Sequence, residues 1–242
     1  MIRGERGTGK KLVAAAIHND SYRKKGAFIT INCAALAEGL LECELFGQED
    51  NAFTNSSFRE GRSVLADKGT LFFDEIGNMS VGFQQKILRV LEYKQFEWVG
   101  GTKTIKVDVR LVAATNSDIE AGKFRADLYD RLVFETIWLP PLRERTENIE
   151  LLGYRFMEHL AGEVGGIKPK KLTPKTLDYL NAYDWPGNVR ELKYVMERIT
   201  YKIEGDTILP HHLPQEILTA HSHAGDSESL TNRLAQVEKQ IL

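Results

Sequence analysis

The run Gly4-Glu5-Arg6-Gly7-Thr8-Gly9-Lys10 constrains this chain more than any other segment, because a helical pattern starts directly at its last residue. The run fits G-x-x-x-x-G-K, a loop whose glycines let the backbone curl until several N–H groups face one anion. The positive end of the following helix dipole adds to that field, and Lys10 is placed to reach β- and γ-phosphates. The competing reading is a glycine-rich turn before a helix. Two local features depart from the phosphate-loop pattern. Lys11 stands where Ser or Thr would help hold magnesium, and only Met1-Ile2-Arg3 precede the loop, so its feeding strand is expected to be mostly missing.

The rest of the first 140 residues suits such a loop. Ala27–Asn32, Thr70–Phe73, Val107–Ala113 and Phe134–Leu139 read as strands. Lys10–Asn19, Leu40–Phe46 and Val81–Tyr93 read as helices, the last with Phe83, Ile87, Val90 and Leu91 on one face. Strands alternating with helices predict an α/β fold, a parallel sheet with helices on both faces. After Pro140-Pro141 the pattern turns helical, over Glu147–Glu163, Pro174–Tyr183 and Val189–Ile203. Thr173-Pro174 is a start signal, a capping hydroxyl followed by proline at the first helical position. Asn188-Val189-Arg190-Glu191 has capping-box spacing with Asn as the cap. We therefore divide the chain into an α/β subdomain (1–140), a small helical lid (141–215), a linker (216–229) containing the polar His221–Ser229, and the start of a C-terminal helix (230–242).

Composition narrows the class. Of 242 residues, 42% are hydrophobic and 27% charged, ordinary values for a globular chain with a real core. Lys and Arg number 32 against 34 Asp and Glu, so bulk charge does not point to nucleic acid. The longest apolar run, Leu12–Ile17, is too short to span a bilayer, and no signal peptide is visible. Cys33 and Cys43 lack metal-ligand spacing and read as reduced, buried thiols of a cytoplasmic protein.

Several residues are candidates for chemistry. Thr70-Leu71-Phe72-Phe73-Asp74-Glu75 is an apolar strand ending in two acids. In a parallel sheet, such a strand end lies beside the phosphate loop. Asp74 could hold a magnesium shell, and Glu75 could polarise a water for in-line attack. Their alternative role is to open the next turn. Thr115 and Asn116 end the following strand, where a polar pair could sense a γ-phosphate or merely shape a turn. Asn32 ends the strand before, within reach of Glu75. Arg125 and Arg131, six apart on a helical segment, could neutralise charge on a neighbouring subunit's phosphoryl group, or pair locally with Asp127 and Asp130. Arg190 falls in the first turn of a helix, where the dipole disfavours a cation unless an anion lies near. That anion could be a phosphate or Glu191.

Together these motifs resemble the AAA+ ATPase domain of bacterial enhancer-binding proteins, the activators of sigma-54 RNA polymerase. The resemblance spans about Gly4 to Pro214, through GERGTGK (4–10), NCAAL (32–36), ELFGQE (44–49), GTLFFDEI (69–76), QQKILRVLE (84–92), VRLVAATN (109–116), FRADLYDRL (124–132), LPPLRER (139–145) and WPGNVREL (185–192). It looks closest to the phage-shock type. It implies a P-loop NTPase that binds ATP through residues 4–11 and Mg2+ through Asp74, with Asp74 and Glu75 as the Walker B pair. Asn32 would restrain Glu75, Thr115-Asn116 would be sensor I, Arg125 and Arg131 trans-acting fingers, and Arg190 sensor II. A ring, usually a hexamer, would drive a surface loop against sigma-54 and remodel closed promoter complexes. The family usually has an acidic residue at the position of Lys11.

The family's sigma-contacting loop is GAFTGA. Here the aligned stretch is Asn51-Ala52-Phe53-Thr54-Asn55-Ser56. Phe53 and Thr54 remain, and both glycines have become asparagine, the residue after glycine that best tolerates positive φ. We expect loop shape to be retained with a bulkier, more polar surface; the alternative is a degenerate loop on a relative that no longer engages sigma-54. The family's helix-turn-helix, through which it reaches promoter DNA, is not in the chain; Leu230–Leu242 resembles only its opening helix. The chain thus reads as a central piece of a longer activator. A third reading is a module that binds nucleotide or assembles without turnover.

Overall fold

The structure is a computed structural model, and it describes residues 1–52, 57–116 and 124–220. They form two compact units: Met1–Glu5 with Gly9–Leu139, and Arg6–Thr8 with the chain from Pro140 onward.

In the first unit the chain runs through β1 (Ile2–Arg3), α1 (Lys10–Asn19), β2 (Phe28–Asn32), α2 (Glu38–Phe46), β3 (Gly47–Gln48), β4 (Arg59–Glu60), α3 (Arg62–Leu65), β5 (Thr70–Asp74), α4 (Val81–Tyr93), β6 (Gln95–Glu97), β7 (Thr104–Lys106), β8 (Arg110–Thr115), α5 (Ala126–Leu132) and β9 (Ile137–Trp138). A parallel sheet has the order β2-β5-β8-β1-β9. Alternation along β5 decides how it is covered. Leu71 and Phe73 face a core with Ile31, Phe83 and Ile87, while Phe72 faces another with Ile2, Ala14 and Val112. The apolar run TLFF therefore needs helices on both faces, and α1 and α4 supply them. Buried His18 on α1 hydrogen-bonds Thr70 (2.9 Å), fixing that helix against β5.

The bounds of α1, α4 and the first lid helix fall where the sequence pattern places them. The strand expected over Val107–Ala113 instead covers Arg110–Thr115. Val107 and Val109 are still buried, as loop residues packed into the core. The strand expected over Phe134–Leu139 shrinks to Ile137–Trp138, with Phe134 exposed. Short as it is, β1 is hydrogen-bonded between β8 and β9.

In the second unit, α6 (Glu147–Glu163), β10 (Lys171–Leu172), α7 (Pro174–Ala182), α8 (Asn188–Lys202) and β11 (Thr207–Ile208) follow one another. The Thr173 hydroxyl caps α7 by accepting the Thr176 N–H (3.2 Å), with Pro174 in the first turn. The core joins Ile149 and Met157 of α6 to Leu192 and Met196 of α8 around Trp185, whose indole donates to the Leu180 carbonyl (2.8 Å).

The capping box expected at Asn188 does not form. Asn188 is buried with φ 53 and is the first residue of α8, whose N-cap is Gly187, with no side-chain cap hydrogen bond there. Its Oδ1 accepts the Leu142 N–H (2.8 Å) and its Nδ2 donates to the Arg6 carbonyl (3.0 Å). Glu191 instead accepts the Gly187 N–H (2.7 Å). Two distant segments outcompete the local cap for this amide. Among the described residues no helix is long and apolar enough to cross a membrane.

Candidate nucleotide site

All strands of a parallel sheet end on one edge, which is where such sheets bind ligands. Here β1 delivers the chain into the phosphate loop, β2 ends at Asn32, β5 at Asp74 and β8 at Thr115. Register aligns these ends, pairing Asn32 with Asp74 and Arg3 with Thr115.

The loop is built from backbone that side chains avoid: φ is 83° at Gly7 and 103° at Gly9, which starts α1. Lys10 is buried and folds back, its Nζ donating to the carbonyls of Gly4 (2.8 Å) and Glu5 (2.9 Å). Those bonds hold the ammonium against the loop's own backbone. Lys11 is exposed.

Arg6–Thr8 pack with the second unit. Besides the Asn188 bond to Arg6, the Arg145 guanidinium donates to the Thr8 carbonyl (2.9 Å). A Cβ on Gly7 would lie 2.2 Å from the Gly187 carbonyl oxygen and 3.4 Å from the Arg190 Cβ. Arg190 therefore stands beside the loop's middle, in the first turn of α8, exposed and with no hydrogen bond or ion pair to its guanidinium among the described residues. Glu191, the neighbouring carboxylate, instead accepts from the Gly187 N–H and the Tyr183 hydroxyl (3.2 Å).

At the end of β5 the chain turns sharply through Glu75, at φ 55. Asp74 Oδ1 accepts the Glu75 N–H (3.1 Å), which orients the first carboxylate. The Glu75 carboxylate makes no hydrogen bond or ion pair among the described residues. Asn32 does not bond it; its Oδ1 accepts the Ala34 N–H (2.9 Å). Below this edge, burial pushes the Cys33 thiol up strongly, with the charges of Asp74 and Glu75 adding to the shift. Thr115 is buried and Asn116 exposed.

As to a magnesium ion, Asp74 offers a carboxylate at the right strand end, whereas Lys11 offers no oxygen. The residues fit an ion held mainly by phosphate and water with one protein carboxylate, a usual arrangement for magnesium.

Arg125 is not on a helix but immediately before one. Its N–H donates to Gln84 Oε1 (2.8 Å), and its guanidinium grips Asp127 through Nε–Oδ1 (3.0 Å) and Nη2–Oδ2 (2.7 Å). This bidentate pair raises the Arg125 pKa and lowers that of Asp127. Arg131, in the last turn of α5, pairs with Glu92 (2.6 Å) and not with the expected Asp130. Sequence reasoning missed Gln84, Arg145 and the bridging role of Asn188, because each acts on a segment far away in the chain.

In the 51–56 stretch, Phe53, Thr54, Asn55 and Ser56 lie outside the described residues. Asn51 takes φ 59, the left-handed conformation expected for asparagine in a glycine position. The base is well held. Asp50 accepts the Phe58 N–H (2.7 Å), Glu49 N–H donates to Val99 O (3.1 Å), and Phe58 meets Trp98 edge-on at 4.8 Å. β3 and β4 form the neck, and backbone touches backbone there: a Cβ on Gly61 would come 2.2 Å from the Phe46 carbonyl carbon.

Comparison with known proteins places the chain in a family. The family described as the sigma-54 interaction domain matches residues 1–137, and the AAA+ ATPase lid domain matches residues 143–230. Regulatory protein AtoC of Escherichia coli (strain K12) is 44% identical over 254 residues, covering 100% of this chain and 55% of its own length. A Nif-specific regulatory protein of Azospirillum lipoferum is 54% identical over 203 residues, covering 82% of this chain and 32% of its own length. The chain thus spans about half, or less, of the curated relatives it matches. The crystal structure of NtrX from Brucella abortus in complex with ATP superposes with TM-score 0.82 at 40% identity, over 90% of this chain and 49% of that one. A closed-state reconstruction of Hsp104, 16% identical with TM-score 0.58, shares the fold. A glycine loop before α1, two acids ending β5, a polar pair ending β8 and a helical lid are thus found together with a family match over more than half the sequence, and the chain belongs to the sigma-54 interaction domain family of AAA+ ATPases.

Proposed function

We propose that this chain is the motor of a sigma-54-dependent activator: it binds ATP with Mg2+, hydrolyses it in a ring, usually a hexamer, and spends the cycle on remodelling sigma-54 RNA polymerase. The observation that carries the reading is the common strand edge at which Lys10, Asp74, Glu75 and Thr115 lie, with the Glu75 carboxylate left uncommitted. When nucleotide binds, Lys10 exchanges the Gly4 and Glu5 carbonyls for phosphate oxygens. Magnesium, when bound, neutralises phosphate charge, and Asp74 is the carboxylate that would hold it. Glu75 orients and deprotonates the attacking water. Thr115 and Asn116 mark the γ-phosphate position, with Asn32 near the same edge, and Arg190 reads the loop from the lid side. Arg125 and Arg131 serve the neighbouring subunit's site, where a guanidinium finger is worth about a thousandfold or more in rate. Residues 51–56 form the sigma-54 contact. This work belongs in the cytoplasm.

ATP hydrolysis measured against protein concentration tests the reading, with Lys10→Ala as control. Specific activity should rise with concentration as rings assemble. Activity that stays at the Lys10→Ala level in concentrated protein would refute turnover by this chain. The left-handed Asn51 favours retained loop shape, so trapped-nucleotide protein should bind sigma-54 weakly. Absence of binding in every nucleotide state would instead favour a relative that has left sigma-54.

A further inference from the structure

Arg3 is the last residue of β1, directly before the phosphate loop. Its backbone lies between Thr115 and Trp138, and its carbonyl accepts the Leu139 N–H (2.8 Å). A half-buried arginine in the middle of a sheet needs a reason to be there. Its guanidinium carbon sits 5.6 Å from the Tyr129 ring centre and 5.3 Å from that of Trp138. Both distances are within cation–π range. Nη2 also donates to the Tyr129 hydroxyl (2.8 Å), while the buried Nε has no partner among the described residues. Leaving a buried donor unpaired is costly, so this side chain is held by its two rings and one hydroxyl and by little else.

Tyr129 lies on α5, one turn after Arg125 and two residues before Arg131. The strand that feeds the loop and the helix that carries Arg131, with Arg125 directly before it, are thus joined by one guanidinium. α5 has only seven residues, too few to hold its own direction without tertiary contacts. We propose that Arg3 and Tyr129 are positioning residues that set the angle of α5, so that Arg125 and Arg131 reach the neighbouring subunit's γ-phosphoryl group. This rests on the trans-finger reading above. Acting through α5, they would affect hydrolysis in the next subunit and not in their own.

That directionality supplies the test. Tyr129→Phe keeps the ring and removes one hydroxyl, and Arg3→Lys keeps the charge and loses the planar fork. In the full chain, either variant should lower kcat about tenfold, with KM for ATP and the concentration dependence of assembly little changed. Lys10→Ala protomers cannot use nucleotide but carry intact fingers. Mixed in excess with Tyr129→Phe protomers, they should restore most of the lost activity. Wild-type kcat in Tyr129→Phe, or a loss that Lys10→Ala protomers do not rescue, would overturn the inference while leaving the ATPase reading intact. Wild-type activity that does not rise with concentration would overturn the trans-finger reading, and this inference with it.

Discussion

Replacing Asn188 with alanine should destabilise the helical unit by an amount the structure allows to be worked out. The substitution removes the acceptor for the Leu142 N–H, and Leu142 is fully buried. An orphaned buried donor costs about 1–3 kcal/mol. It also puts alanine at φ 53, a left-handed conformation that costs about 1–2 kcal/mol for a residue with an ordinary Cβ. The Arg6 carbonyl loses its donor too, but the exposed Arg6 segment can turn to water. The sum is about 3 kcal/mol. With a urea slope of about 2 kcal/mol/M, the midpoint should fall by about 1.5 M. Asn188→Gly separates the two costs: it loses the same hydrogen bonds but accepts positive φ, and should recover about 1 kcal/mol. Circular dichroism against urea reads both variants. A midpoint shift below about 0.3 M for Asn188→Ala, or Asn188→Gly no more stable than alanine, would refute the bridging account.

Gly7→Ala meets both a positive φ and the Gly187 carbonyl, so binding of a fluorescent ADP analogue should weaken more than about tenfold; an unchanged Kd would show that the loop can relax. Asp127→Asn should free Arg125 from its own protomer and raise hydrolysis at limiting protein concentration, by no more than about fivefold because the pair is solvent-screened. A drop instead would mean that Asp127 aims the finger. Cys33 is buried with its thiol pushed above the ordinary 9.0, so the native protein should react slowly with thiol reagents until urea opens it. Because the folded value is the raised one, the associated stability is complete below pH 9 and lost as pH rises beyond it. Cys33→Ala should therefore flatten the alkaline limb of the stability curve, and an unchanged limb would place the titration elsewhere.

Periodicity located those elements whose apolar residues answer to one partner face. α4 is the clear case, with its Ser80 cap and its stripe of Phe83, Ile87 and Val90. It misled where burial occurs without pairing: Val107 and Val109 enter the core from a loop and look like the first half of a strand. The phosphate loop and the acids of β5 were legible because their chemistry demands a fixed local spacing. Asn188 was not, because its partners lie 46 and 182 residues away and a local capping pattern fits the same letters. Arg3 gave no signal either. It looks like an ordinary residue before a glycine loop, and its clamp requires Tyr129 and Trp138 to arrive from the far end of the unit. The pairing of Arg131 with Glu92 and not Asp130 has the same origin, since α4 supplies a carboxylate that nearest-neighbour reasoning on α5 does not see.

The glycine neck at Gly47 and Gly61 has a consequence for how this protein can change. The chain passes Gly47 and Gly61 at one tight backbone crossing, and the described residues just inside it, Glu49 and Phe58, rest on Val99 and Trp98. On the function proposed above, substitutions between these two glycines, the two asparagines and the serine included, would change what is offered to a partner while the fold is specified elsewhere. On that reading a relative's loop grafted between the same two glycines should fold with the host. A lineage could then exchange one recognition surface for another through a handful of point changes, each nearly neutral to stability, with the engine beneath left as it was.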